Sequence, residues 1–131
     1  MRYLGLDYGL RKIGLAISEG QIATPLKVVE VSGLKDAVNK ITSVIEKEGI
    51  DRVVIGVPES GQVKNAVKKF ITELKATLKN ELVSVIEADE TLSSQNAKDL
   101  MIDLDLSQEA RKKEDAYSAA LILQNFLDSI S

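Results

Sequence analysis

The residues with the clearest chemical potential are acidic: Asp7 in Leu6-Asp7-Tyr8-Gly9, then Asp89 or Glu90 in Asp89-Glu90-Thr91-Leu92, and Asp115 in Asp115-Ala116-Tyr117. The chain has 0 His and 0 Cys, which removes imidazole acid/base chemistry, thiol nucleophiles, triad arrangements and ordinary structural zinc. Catalysis is left to carboxylates, Lys, Tyr, Ser/Thr or a hard metal ion. Carboxylates gathered within a few ångströms raise one another's pKa and cost stability, so such a cluster is usually maintained by a bound cation. All-oxygen ligation suits Mg²⁺ or Mn²⁺. Two such ions about 3.5–4 Å apart activate water and stabilise the leaving 3′-oxygen in phosphodiester hydrolysis, a reaction that needs no His.

Taken singly, each acid has an ordinary role. Asp7 suits a turn in which its carboxylate accepts backbone N–H groups. Asp89-Glu90 suits a solvated strand end, with Ser93 and Ser94 as helix caps. Asp115 in a first helical turn is favoured by the helix macrodipole. Only the three together point to a metal site, and only if the fold makes them converge.

The elements that must position them follow from hydrophobic period. Residues 2–8 and 12–18 read as two strands of a hairpin closed at Tyr8-Gly9-Leu10-Arg11. In the second, Ile13, Leu15 and Ile17 alternate with Gly14, Ala16 and Ser18, so one face carries bulk and the other admits a helix or ligand. A third strand covers 22–31, where Pro25 suits an edge. Leu34, Ala37, Val38, Ile41, Val44 and Ile45 mark a helix that stops at Gly49. Val53-Val54-Ile55-Gly56-Val57 is apolar throughout and reads as a strand covered on both faces. A helix from Val63 to Leu78, a strand from Leu82 to Ala88, and helices near 94–104 and 113–130 complete the chain. The order predicts an α/β domain over 1–131, its five-stranded mixed sheet formed by an antiparallel meander and two parallel strands. The first strand then lies near the centre, and a helix across its face brings Asp115 toward Asp7.

At 131 residues, 44% hydrophobic and 28% charged, the composition is that of one ordinary globular domain and excludes collagen, low-complexity disorder and a disulfide scaffold. The net charge of −3 argues against a generally basic nucleic-acid coat and leaves local patches open. No apolar run reaches the roughly 18 residues that span a bilayer, and Arg2 and Asp7 interrupt any secretory segment at the start, so a cytoplasmic protein without a membrane partner is expected.

Six segments, in order, carry a resemblance: Leu6-Asp7-Tyr8-Gly9 with Ile13-Gly14-Leu15-Ala16-Ile17-Ser18, Ala23-Thr24-Pro25-Leu26, Ile55-Gly56-Val57-Pro58, Asp89-Glu90-Thr91-Leu92-Ser93-Ser94, and Asp115-Ala116-Tyr117-Ser118-Ala119-Ala120. Nearly the whole chain resembles the YqgF/RuvX family. That resemblance implies an RNase H-like fold and a metal-dependent nuclease, described in the family either as maturing the 5′ end of pre-16S ribosomal RNA or as Holliday-junction resolvase-like. It makes Asp7 the first catalytic Asp, Glu90 the acid of the family's Asp-Glu-Arg motif with Asp89 beside it, and Asp115 the Asp preceding paired alanines. Ala119 and Ala120 then let the last helix lie close to the sheet. Thr91 stands where the family usually has Arg, Ser93-Ser94 replace a Thr pair, and the loop after Pro58 is short. These departures affect substrate contacts and spare the acids.

Basic residues must then hold the nucleic-acid backbone. Candidates are Arg11 and Lys12 after the first strand, Lys64 on the second helix, and foremost Arg111, Lys112 and Lys113 beside Asp115. Lys68 and Lys69 read as solvated surface. Rings for base stacking are scarce at 4% aromatic; Tyr8 and Tyr117 flank two of the acids, and Tyr117 suits the core equally well. The leading expectation is a nuclease using two Mg²⁺ or Mn²⁺ ions on structured RNA or branched DNA, as a monomer or homodimer. A phosphotransferase with an actin-like first phosphate loop is opposed by length, and a non-catalytic RNA-binding assembly factor is the third reading.

Overall fold

The computed structural model describes residues 1–89 and 114–130. Its elements are β1 (Tyr3–Tyr8), β2 (Lys12–Ser18), β3 (Thr24–Glu30), α1 (Leu34–Glu48), β4 (Arg52–Val57), α2 (Gln62–Thr77), β5 (Ser84–Asp89) and α3 (Glu114–Ile130). They form one five-stranded sheet in the order β3-β2-β1-β4-β5. The first three strands pair antiparallel and β4 and β5 add in parallel, as the hydrophobic periods predict. β1 is central. Two strands differ from expectation: β3 spans Thr24–Glu30 rather than 22–31, and β5 is displaced, running from Ser84 to Asp89 instead of Leu82 to Ala88. The helix expected near 94–104 lies outside the described residues.

Alternation along the strands divides the core. Leu4, Leu6, Ile13, Leu15, Val53 and Ile55 point toward α1 and α2 and join Ile41, Phe70 and Leu74 in the larger cluster. Tyr3, Ala16 and Val54 point the other way and meet Ala119, Ile122 and Leu123 of α3. β4 is buried on both faces, which is why its sequence shows no polar alternation. α1 ends at Gly49, whose left-handed φ of 63° closes the helix with its N–H donated back to the Glu46 carbonyl. Pro25 sits in the edge strand β3, opposite Ala16, where the register slips by a bulge between Leu15 and Ala16.

α3 covers its face of the sheet at unusually short range. A Cβ built on Gly5 would stand 2.8 Å from Leu123 Cβ and 2.9 Å from the Ala119 carbonyl oxygen. Large side chains on this face would lift the helix away; the sequence places Gly5, Gly14 and Ala16 there instead. The middle of α3 is fixed by Gln124, whose Oε1 accepts the Ala23 N–H (2.9 Å) and whose Nε2 donates to the Gln21 carbonyl (2.8 Å).

Candidate active site

The small residues of β1 and β2 decide where the acids fall. Asp7 is directly opposite Gly14 in the β1–β2 ladder. A Cβ at Gly14 would lie 1.9 Å from the Asp115 carbonyl oxygen, so the first turn of α3 rests on the bare backbone of Gly14. Directly opposed residues of an antiparallel pair lie about 4.5–5.5 Å apart. The seat at Gly14 therefore brings Asp115 beside Asp7, and both line one cleft of about 410 Å³. Both are half-buried. The convergence expected of these two positions is thus a product of one glycine.

The β1–β2 turn forms the rest of the cleft wall: Tyr8, Gly9, Leu10, Arg11 and Lys12, with Val63 at the start of α2 opposite. Lys12 Nζ lies 3.3 Å from Asp115 Oδ2. Two of the expected basic residues therefore flank the two acids. Lys64 does not line the cleft; its ammonium donates to the Glu59 carbonyl at 3.0 Å and ties the start of α2 to the loop before it. Lys68 pairs with Glu87 of β5 and stays exposed, in keeping with its reading as surface. Lys69 is likewise exposed.

Asp89 ends β5 and is exposed. Val85 and Glu87, four and two residues earlier, face α1 and α2, whereas Ile86 and Ala88 face α3. Strand alternation therefore sets Asp89 on the face away from Asp7 and Asp115. Glu90, Thr91, Ser93, Ser94, Arg111, Lys112 and Lys113 lie outside the described residues.

Tyr8 differs from its expected part as a stacking ring. It is 6% exposed and packs its ring 4.7 Å from that of Phe70, and burial pushes its hydroxyl pKa up. It anchors the end of β1 in the larger core. Tyr117 is half-buried in the first turns of α3. Two cleft residues went unnoticed in the sequence. Leu10, 54% exposed at the turn, reads there as simple turn filler, and Val63 reads as part of a helical core stripe.

Carboxylate oxygens are the donors that hard divalent cations take, and the Lys12 ammonium already holds a positive charge against Asp115. Among the described residues no cluster of three acidic side chains forms, so the cleft fits a divalent cation as a pair of carboxylates whose remaining ligands are water or substrate oxygens. Among the described residues it offers two carboxylates, Asp7 and Asp115.

A family model described as "RuvX: Holliday junction resolvase" matches residues 1–129. A protein of Clostridium tetani named as a pre-16S rRNA nuclease is 38% identical over 99% of this chain and 98% of its own length. A protein of the same name from Desulforudis audaxviator is 36% identical over 98% of this chain and 95% of its own length. Among solved structures, the fowlpox virus Holliday junction resolvase superposes with a TM-score of 0.69 at 14% identity, covering 98% of this chain and 99% of that one. RuvC of T. thermophilus in complex with a Holliday junction substrate gives 0.61 at 18% identity, covering 100% and 96%. The fold is therefore RNase H-like, as the resemblance implied.

Proposed function

Since the chain belongs to the RuvX family, matched over residues 1–129, we propose that it is a metal-dependent nuclease, a single domain over 1–131 that hydrolyses phosphodiester bonds in maturing the 5′ end of pre-16S ribosomal RNA. The observation that carries this reading is the seating of Asp115 on Gly14, directly opposite Asp7, in a cleft flanked by Arg11 and Lys12. The choice of ribosomal RNA rests on whole-length relatives that bear that name at 36–38% identity. Cytoplasmic action goes with that substrate.

In this reading Asp7, Glu90 and Asp115 hold two Mg²⁺ or Mn²⁺ ions, and Asp89, expected beside them, drops out because strand alternation turns it to the other face. Bound there, the ions supply an activated water and stabilise the leaving 3′-oxygen. The protein's own groups do the rest. Asp7 is held on a central strand and Asp115 on a helix lying against it, so the carboxylates meet the ions with little rearrangement. Arg11 and Lys12 draw the backbone phosphates to the cleft mouth, and Arg111, Lys112 and Lys113, which precede Asp115 in sequence, are the further basic residues assigned to the substrate backbone. Lys64, bonded to the Glu59 carbonyl, contributes charge at the α2 end.

The test is cleavage by purified protein with Mn²⁺ or Mg²⁺ of a pre-16S RNA fragment and of a synthetic four-way junction, beside Asp7→Asn. Cleavage of the RNA, lost by about 10²- to 10³-fold in Asp7→Asn, is the expected result. Cleavage confined to the junction, which calls for a two-fold dimer, replaces RNA maturation by resolution. Binding without cleavage makes the chain a non-catalytic assembly factor. Full activity in Asp7→Asn refutes the assignment of the site.

A further inference from the structure

The Lys12–Asp115 contact joins a cationic residue from one end of the chain to an acid of the proposed ion site at the other. Its two partners are placed by main-chain contacts. At Gly14, two residues after Lys12, the strand passes so close to α3 that a Cβ would collide with the Asp115 carbonyl. At Gly9 a Cβ would lie 2.6 Å from the Lys12 carbonyl oxygen, so the turn closes tightly on Lys12 itself. The Val31 N–H donates to the Arg11 carbonyl at 2.8 Å and ties the same turn to the end of β3. The backbone under Lys12 is held from three sides. Its side chain is 57% exposed, whereas that of Asp115 is 28% exposed. A fixed base with a long solvated stem leaves the ammonium free to leave Asp115, and the open cleft beside Arg11 is within its surroundings.

Resting on the reading of this cleft as a divalent-cation site, we propose that Lys12 is a positioning residue that occupies Asp115 as a monovalent stand-in and is displaced when a divalent ion enters, becoming available to a substrate phosphate. With no divalent ion, the ammonium compensates the Asp115 carboxylate beside Asp7 and keeps the two acids from repelling one another. A divalent ion carries twice the charge and competes directly for the same oxygen. Once it is bound, like charge drives the ammonium outward. Ion binding and nucleic-acid binding are thereby linked with the same sign, and the linkage is reciprocal. The site takes its phosphate-binding form only when loaded.

The competition is measurable without turnover. Mn²⁺ titration of the full chain, followed by the electron paramagnetic resonance of free Mn²⁺, is carried out on wild type, Lys12→Gln, Lys12→Arg, Arg11→Gln and Asp7→Asn. An exposed ion pair of this kind holds a competitor only weakly, so Lys12→Gln is expected to bind Mn²⁺ about 2- to 5-fold more tightly than wild type. Lys12→Arg, which keeps the pairing charge, stays near wild type. Arg11→Gln, with the same loss of charge at the same turn, tightens binding less than Lys12→Gln. Equal effects of Lys12→Gln and Arg11→Gln reduce the matter to net charge and overturn the proposal. So does unchanged or weaker binding in Lys12→Gln, provided that Asp7→Asn loses Mn²⁺. Wild type that binds Mn²⁺ no better than Asp7→Asn overturns both this proposal and the reading of the site beneath it.

Discussion

Adding one methyl group at Gly14 tests the geometry of the cleft directly. A Cβ there would lie 1.9 Å from the Asp115 carbonyl oxygen, 2.1 Å from its carbonyl carbon and 2.8 Å from the Ala116 nitrogen. All three are backbone atoms, so no rotamer change relieves the clash. Ordinary contact begins at 3.4 Å, so the first turn of α3 must retreat by about 1.5 Å. Overpacking of a core contact costs about 1–3 kcal/mol, a fall in Tm of about 3–15 °C for a domain of this size. A misplacement of about 1 Å at reacting groups costs about 10²-fold in rate, so Gly14→Ala should lose at least that much cleavage under conditions where it is fully folded. Thermal unfolding and single-turnover cleavage are measured together, with Gly20→Ala as control because a Cβ at Gly20 meets nothing within 4 Å. Wild-type Tm and wild-type rate in Gly14→Ala would refute the argument that bare backbone at this position sets the place of Asp115.

Two further outcomes are expected of stability. Phe70→Ala removes a fully buried ring that packs against Tyr8, and chemical denaturation should show a loss of about 3–5 kcal/mol. Stability should also fall on acidification through two surface carboxylates. The Ser32 backbone N–H holds the Asp36 carboxyl below its ordinary pKa, and the Lys68 ammonium does the same for Glu87. A carboxyl with a lowered folded pKa stabilises the native state fully above its unfolded value and loses that contribution as pH falls through the folded value. The double variant Asp36→Asn/Glu87→Gln should flatten the pH dependence of denaturation midpoints between neutrality and the acid range; an unchanged slope contradicts these partnerships.

Much of the architecture was legible because each strand announces its surroundings. Val53 to Val57 lack polar alternation since two layers cover them, and Pro25 marks an edge where a missing N–H interrupts no ladder. The alternation of Ile13, Leu15 and Ile17 with Gly14, Ala16 and Ser18 announced a close visitor, and α3 is that visitor. The sequence did not reveal which turn of α3 meets Gly14, because a period of 3.6 identifies the buried stripe and leaves translation along it free. The pairing of Lys12 with Asp115 depends on that translation. The burial of Tyr8 escaped notice for a related reason: its partner Phe70 arrives from α2 across a β4 crossover. The side of the sheet taken by Asp89 depends on strand phase up to the final residue of β5, and a strand end is the feature that periodicity fixes least well.

The two sides of the sheet carry unequal responsibilities. Beneath α1 and α2, interlocking aliphatic chains offer many alternative fillings of similar volume, so substitutions there should alter melting while catalysis persists. Under α3 the main chain itself is met at Gly5 and Gly14, and at those two positions no volume is adjustable, although Tyr3, Ile122 and Leu123 pack there as side chains. A laboratory lineage of this enzyme could therefore drift freely in one layer yet stay nearly frozen in the other, and attempts to retune the reaction should begin on the helix that rests on glycine.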